Sequence, residues 1–337
     1  HDVRVVCAVP YYPEWRIPEE YRGIVYRCEQ RNGVTVYRSV LHVPKKLTVA
    51  RRLLHLSSFA FLSIPQMFRQ LFWRPDMVIA IEPTLFCTPA ALVFSLFSRS
   101  RTLLHIQDFE LDAMMGLGMG GGSKAASVGG SIERWFMRRY DSISSISYSM
   151  LDRARIKSGK DDQDLIYFPN WVDIDFVKPG CPTGLLKDRW GIPGSAKVIL
   201  YAGNMGRKQG LEMVLDAASK MEDKNVLFIL VGAGGARDEL KALARNLGLQ
   251  NVKFHPLVPY EELPALMALA DIHLVVQKKG VADAVLPSKV TTILSAGGNA
   301  LITAEKGTEL EILCTKHPGL ATLVEPENPT QFQEALS

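Results

Sequence analysis

Short apolar runs separated by longer amphipathic stretches set the rhythm of this sequence. In the first half, Val3–Val9, Met77–Ile81, Thr102–Ile106 and Ser142–Ile146 predict strands, with helical patterns between them. In the second half the strand runs are Lys197–Ala202, Val226–Val231, Asn251–Phe254, Ile272–Val276, Ala300–Thr303 and Ala321–Val324. Helical periodicity falls between them at Leu211–Met221, Ala236–Leu247, Tyr260–Ala270, Pro287–Ala296 and Thr308–Cys314. The alternation predicts α/β layers throughout, and a doubly wound parallel sheet in the second half. Ligands of such sheets bind at the carboxyl ends of the strands.

Three stretches break the rhythm. "FPNWVDIDFVKPGCPTG", Phe168 to Gly184, has the proline and glycine density of a linker, which places a domain boundary there, with domains at residues 1–175 and 176–337. "DAMMGLGMGGGSKAASVGGS", Asp112 to Ser131, is too rich in glycine for a regular element and reads as a functional loop or a connector. Pro44 to Pro75 holds six basic residues, Lys45, Lys46, Arg51, Arg52, Arg69 and Arg74, and no acidic one around an apolar, aromatic middle. Its apolar run is shorter than the about 20 residues a membrane span needs. Two readings stay open: an interfacial segment on anionic lipid, or a pair of domain helices with solvated basic ends.

Composition narrows the class. A chain of 337 residues is long for one core, and 47% hydrophobic with 22% charged residues is ordinary for a soluble protein. A net charge of +4 gives no argument for nucleic acid. The five cysteines are scattered and odd in number, as in a reduced cytosolic chain, and no histidine cluster has metal-ligand spacing. The opening "HDVRVVCAVPYYPEW" has no signal-peptide pattern and reads as a strand that an earlier strand and helix should precede. The close, "NPTQFQEALS", reads as a helix cut short at its start, so a final crossover helix is also expected to be missing.

Candidate chemistry sits at the ends of predicted strands. In "AGNMGRKQG", Gly203 and Gly206 permit close backbone approach, Asn204 lies between them, and Arg207 and Lys208 add two charges at a helix start. Free amides, a helix dipole and two cations make a phosphate cradle, though not a P-loop, because GxxxxGK[ST] is absent. "LVGAGGARDEL" places Gly232 and Gly234 after the next strand, with the wrong spacing for a dinucleotide fingerprint. A mononucleotide half-site fits better. "KKGVADAVLPSKVTTILSAGGNAL" sets Lys278, Lys279, Asp283 and Lys289 around another strand–helix turn, either facing phosphates or merely solvated. "LLHIQDFELDAMMGLG" places His105, Asp108, Glu110 and Asp112 past a first-half strand, where they bond sugar hydroxyls, move a proton or serve structure. Asp173-x-Asp175 has a spacing used for divalent metals, but its place in the linker favours a structural role.

Taken together, "YYPEW", "PTLFCTPAAL", "LHIQDFELDAMMGLG", "SSISYSM", "FPNWVDIDF", "YAGNMGRKQGLE" and "VADAVLPSKVTTILSAGG" resemble glycosyltransferase family 4, of the two-Rossmann-domain GT-B type. Within it the resemblance is closer to the colanic-acid fucosyltransferase group of bacterial exopolysaccharide synthesis. It implies a GDP- or UDP-linked sugar donor in a cleft between the domains and no cofactor or metal. It also implies retention of anomeric configuration, and transfer to a polyprenyl-diphosphate-linked saccharide at the inner face of the bacterial cytoplasmic membrane. By the same resemblance the Gly203–Lys208 turn holds the diphosphate, Val231–Gly234 and Leu257 contact the base, and His105 and Asp108 face the sugar. Asp283, Ser288 and Lys289 belong to a loop closing over the phosphates. Many members carry a ribose-binding glutamate where this chain has Thr292, and a phosphate-binding arginine where it has Asn204, so Arg207 is expected to substitute. The rival readings are a nucleotide-sugar epimerase and a non-catalytic nucleotide-sugar-binding subunit.

Overall fold

The computed structural model describes residues 1–12, 15–44, 48–82, 85–109, 122–280 and 288–336. The chain divides into two compact units, His1–Phe168 and Pro169–Ser337. The second begins just after a strand ends at Tyr167, because Val172, Phe176 and Val177 already pack on the second core.

The first unit holds two sheets. Strands β1 (Arg4–Ala8), β2 (Tyr26–Arg31) and β3 (Val34–Ser39) lie in the order β1-β3-β2, with β1 parallel and β2 antiparallel to β3. The hairpin β2–β3 was not expected from the apolar runs. It turns on Asn32 and Gly33, both at positive φ (49° and 79°), the backbone a two-residue turn needs. Strands β4 (Met77–Glu82), β5 (Arg101–Ile106), β6 (Ser142–Ser145) and β7 (Leu165–Tyr167) form a parallel sheet in chain order. The helices of this unit are α1 (Val49–Phe68), α2 (Thr88–Ser98), α3 (Gly122–Met137) and α4 (Tyr148–Ser158).

The basic Pro44–Pro75 segment thus contains one long helix rather than two. Thr48 starts it by accepting from the Arg51 amide. Pro65 stands in the last turn of α1, where it cannot donate to the Phe61 carbonyl, and the chain tightens into a 3-10 turn at Arg69–Phe72. Among the described residues, no helix is long and apolar enough to cross a membrane.

The second unit is a single six-stranded parallel sheet of β8 (Lys197–Ala202), β9 (Val226–Val231), β10 (Val252–His255), β11 (Ile272–Val275), β12 (Ala300–Thr303) and β13 (Thr322–Val324). Their order is β10-β9-β8-β11-β12-β13. Alternate residues of β8 feed opposite faces: Val198 and Leu200 join one core, Ile199 and Tyr201 the other. The covering helices are α5 (Gly184–Trp190), α6 (Glu212–Ser219), α7 (Arg237–Asn246), α8 (Leu263–Ala268), α9 (Ser288–Ser295), α10 (Glu309–Lys316) and α11 (Pro329–Leu336). In α11 the Asn328 carboxamide accepts from the Gln331 amide, and Phe332 and Leu336 enter the core. Strand order reverses between β9 and β11 on either side of β8. That is the switch point where doubly wound sheets open a crevice.

Candidate functional site

At that switch point a pocket of about 450 Å³ opens in the second unit, within the range of small-ligand sites. Its floor includes Leu200, Ala202 and Gly203 of the β8 end and His273 of β11. One wall comes from Leu257, Val258 and Tyr260 after β10, the opposite wall from Lys289, Thr291 and Thr292 of α9. Trp171 adds an aromatic rim, and Tyr260 is itself stacked on Phe176 with centroids 4.6 Å apart.

Among the described residues, Lys289 is the charged group lining this pocket. It occupies the first turn of α9, and its Nζ lies 4.3 Å above the Tyr201 ring. Burial pushes its pKa down to about 8, and among the described residues no carboxylate acts on it. Tyr201 is fixed beneath it by donating to the Asn204 carbonyl at 2.6 Å.

The glycine turn after β8 is built differently from the expectation. The Gly203–Gly206 amides were expected to face an anion. Instead Gly203 N–H donates to Val231 O (2.9 Å), Met205 N–H to Ala233 O (2.7 Å) and Gly206 N–H to the Gln209 carboxamide (3.0 Å). Those donors are spent on seating the turn against the neighbouring β9 loop. Among the described residues, no hydrogen bond engages the amides of Asn204, Arg207 or Lys208. Arg207 does not stand free to replace a phosphate-binding arginine either: its guanidinium pairs with Glu239 of α7 at 2.6 Å. Lys208 is exposed, and its carbonyl accepts from the Lys278 amide at 2.9 Å, which ties the β8 turn to the loop after β11. Lys278 in turn faces Glu212 at 3.9 Å.

Gly232 and Gly234 have a packing reason for being glycine. Both hold positive φ (148° and 152°), and a Cβ on either would strike the β8 turn. Leu257 is exposed on the pocket wall and Thr292 lines the wall across from it. Asp283 lies outside the described residues, as do Glu110 and Asp112, and the Ser288 side chain is not described. Tyr201, His273 and Tyr260 were not singled out in the sequence. Their signal was hidden, since each looks like an ordinary strand or turn residue until the sheet closes around it.

His105 and Asp108 belong to the first unit, at the carboxyl end of β5. His105 is buried, with Nδ1 2.9 Å from Ser144 Oγ and Nε2 2.7 Å from the Gln107 carboxamide nitrogen. An amide N–H donating to Nε2 leaves the proton on Nδ1, directed at Ser144. Burial lowers its pKa, so the imidazole is a neutral, oriented hydrogen-bonding group. Asp173 is not poised for a metal: its Oδ1 accepts from the Asp175 and Phe176 amides, both at 3.0 Å. Among the described residues, no group of three His, Cys, Asp or Glu side chains could hold a metal ion.

Comparison with known proteins gives this geometry its family. Residues 1–171 match the model of a Glycosyl transferase 4-like domain, and residues 184–337 match Glycosyl transferases group 1. WcaI of Escherichia coli (strain K12), provisionally named a colanic acid biosynthesis glycosyl transferase, is 46% identical over 333 residues, covering 97% of this chain and 81% of WcaI. Among solved structures, Anabaena HepE in complex with UDP-glucose superposes with a TM-score of 0.67 at 15% identity, covering 98% of this chain and 88% of HepE. WaaG, a glycosyltransferase involved in lipopolysaccharide biosynthesis, gives 0.59 at 14% identity, over 99% of this chain and 89% of WaaG. With two Rossmann-like units of this order and both halves matched, the chain belongs to the GT-B glycosyltransferases, joining a 4-like amino-terminal domain to a group 1 carboxyl-terminal domain.

Proposed function

We propose that this glycosyltransferase moves a sugar, fucose or a fucosamine derivative, from a nucleoside-diphosphate donor to a lipid-linked saccharide in exopolysaccharide assembly. The reading of the pathway rests on the similarity to WcaI. The observation that carries donor binding is the Lys289 ammonium, desolvated and, among the described residues, without a carboxylate at the switch-point pocket. A charge kept in such a place is stabilised when an anion arrives. The base and ribose take the apolar walls at Leu257 and Tyr260. The diphosphate takes Lys289, Lys208 and the amides of Asn204, Arg207 and Lys208.

The chemistry follows from where charge grows. As the anomeric bond stretches, negative charge gathers on the leaving β-phosphate. Lys208, Lys289 and the uncommitted amides stabilise that charge more than the ground state, without a metal. His105 and Asp108 keep the role at the donor sugar that the family resemblance gives them, and transfer proceeds with retention. Exposed Phe61, Phe72, Leu96 and Phe97 and the acid-free segment from Pro44 to Pro75 support peripheral binding to an anionic membrane on the cytoplasmic side.

The test is a thermal-shift panel of GDP, UDP and their sugars. A ligand at 100 times its Kd adds about 2.7 kcal/mol of apparent stability. Stabilisation by a nucleoside diphosphate, lost in Lys289→Met, supports the reading. Absence of any nucleotide effect defeats it. Sugar transfer to a polyprenyl-linked acceptor, measured in parallel, separates a transferase from a subunit that only binds.

A further inference from the structure

His273 is a buried titratable group of the switch-point pocket to which donor binding has so far given no task. It is 2% exposed and lines the pocket, yet among the described residues its Nε2 has no hydrogen-bond partner. The ring is held by a hydrogen bond to the Met267 backbone. Since Nε2 is not engaged, Nδ1 carries the proton, donates to the Met267 carbonyl and leaves Nε2 as a bare acceptor. Burial lowers its pKa to about 4, so the imidazole is neutral at pH 7. Gly298 leaves the Nε2 edge uncovered, because a Cβ there would stand 2.6 Å from Nε2.

The position of this acceptor narrows what it can meet. His273 pairs in register with Leu200, two residues inside the Ala202 end of β8, or about 7 Å by strand rise. The lining nearby is apolar, with Leu266 and Met267 of α8 and Ile293 of α9. Among the described lining side chains, the other nitrogens, on Lys289 and Trp171, only donate. A sugar placed this deep would leave most of its hydroxyls without partners. A flat heteroaromatic ring buries two apolar faces and needs partners only along its edge.

We infer that His273 Nε2 reads the nucleobase by accepting the ring N–H of a keto base. The inference rests on the donor-site reading and names the base chemistry within it. Uracil N3 and guanine N1 each carry a hydrogen at the middle of the pairing edge. The equivalent nitrogens of cytosine and adenine carry a lone pair, which would face the lone pair of Nε2. The buried acceptor then stays unmatched, and a site built around one buried hydrogen bond rejects a ligand that lacks it.

The experiment is calorimetric titration of the full chain at pH 7 with UDP, CDP, GDP and ADP, and with UDP methylated at N3 and GDP methylated at N1. UDP should bind about tenfold more tightly than CDP, or GDP than ADP, and methylation of the ring nitrogen should cost about tenfold. His273→Phe keeps a ring of similar size without the acceptor, and should bring the members of each pair within about twofold. A parent protein that binds the methylated base as tightly as the unmethylated one overturns the inference. So does a preference that persists in His273→Phe. The methylation series on the parent stands even where the variant fails to fold. Binding of none of the nucleotides overturns the donor-site reading and this inference with it, whereas binding without discrimination overturns this inference alone.

Discussion

The carbonyl oxygen of Gly203 occupies the space that a Cβ on Gly232 would need: an ideal Cβ there lies 1.9 Å from it. The β8 and β9 turns are therefore interlocked backbone to backbone, and the same holds one step on, where a Cβ at Gly234 would sit 2.5 Å from Met205 O. Neither obstacle is the end of a flexible side chain.

Gly232→Ala must therefore move a backbone turn and also strain a residue at φ 148°. The expected loss is about 3 kcal/mol or more, read as a lower urea midpoint with the slope unchanged. Gly235→Ala is the control, since nothing lies within 4 Å of its Cβ. That variant should stay within about 0.5 kcal/mol of the parent. Equal stability of the two variants would sink the interlock.

Lys289→Met should raise the melting temperature of the free protein while weakening nucleoside diphosphate binding. The native pKa of about 8 lies below the ordinary lysine value of 10.5, so between those limits the unfolded state binds more protons. Lys289 therefore destabilises the empty protein below pH 8, and stability recovers as pH rises from about 8 toward 10.5. Relief of about 1 kcal/mol corresponds to about 2–4 °C at this domain size. Binding has the opposite sign, because the anion needs the protonated form: affinity should fall as pH rises through 8. A variant that loses both stability and binding would mark Lys289 as structural.

Lys208→Ala probes the rate rather than the fold. The side chain is exposed, so the melting temperature of the empty protein should hold. Loss of one preorganised charge donor should cost roughly 10²–10³ in kcat. Full turnover in that variant would remove Lys208 from the leaving-group site.

How legible the molecule was depended on whether a feature was local. All six strands of the second unit could be read because each carries a short apolar run, buried on both faces in β8, β9, β11 and β12 and only partly buried in the edge strands β10 and β13, and their parallel order follows from the helices between them. The pocket's end of the sheet was legible for the same reason. The donor inventory was not. That Gly203 and Met205 amides are consumed by Val231 and Ala233 depends on how two turns pack, and Arg207 is claimed by a glutamate 32 positions away. The hairpin at Asn32–Gly33 is a different case. Its signal was present in the alternation around "NG", but short half-exposed strands do not form apolar runs.

His273 predicts an acid limit to stability. It is buried between β11 and α9, and a Cβ on Gly298 would lie 2.6 Å from its ring. Burial lowers its pKa to about 4, against an ordinary 6.5. The unfolded state therefore takes up the proton first. The stabilisation is full above pH 6.5 and is lost as pH falls toward 4. In urea titrations at a series of pH values, His273→Phe should flatten that slope, whatever it does to stability at pH 7. A slope unchanged by the substitution would assign the acid sensitivity to other groups.

Glu133 of α3 and Lys157 of α4 meet at 2.6 Å with side chains only 1% and 15% exposed, and Lys157 Nζ also sits 4.6 Å over the Phe109 ring. One lysine thus fastens two helices to the segment that follows His105 and Asp108. Removing it alone takes from the buried Glu133 carboxylate its 2.6 Å counterion, so Lys157→Met should cost about 3 kcal/mol in urea unfolding. Replacing both partners, Glu133→Leu with Lys157→Met, removes the charge with its counterion and should recover most of that loss, because well-packed apolar residues substitute for buried pairs at little cost. If the pair exists to hold the segment rather than for stability, the double variant should recover its urea midpoint and still lose turnover, since Phe109 then keeps only the Arg153 guanidinium, 5.3 Å from its ring. Full turnover in the recovered double variant would confine the pair to the fold.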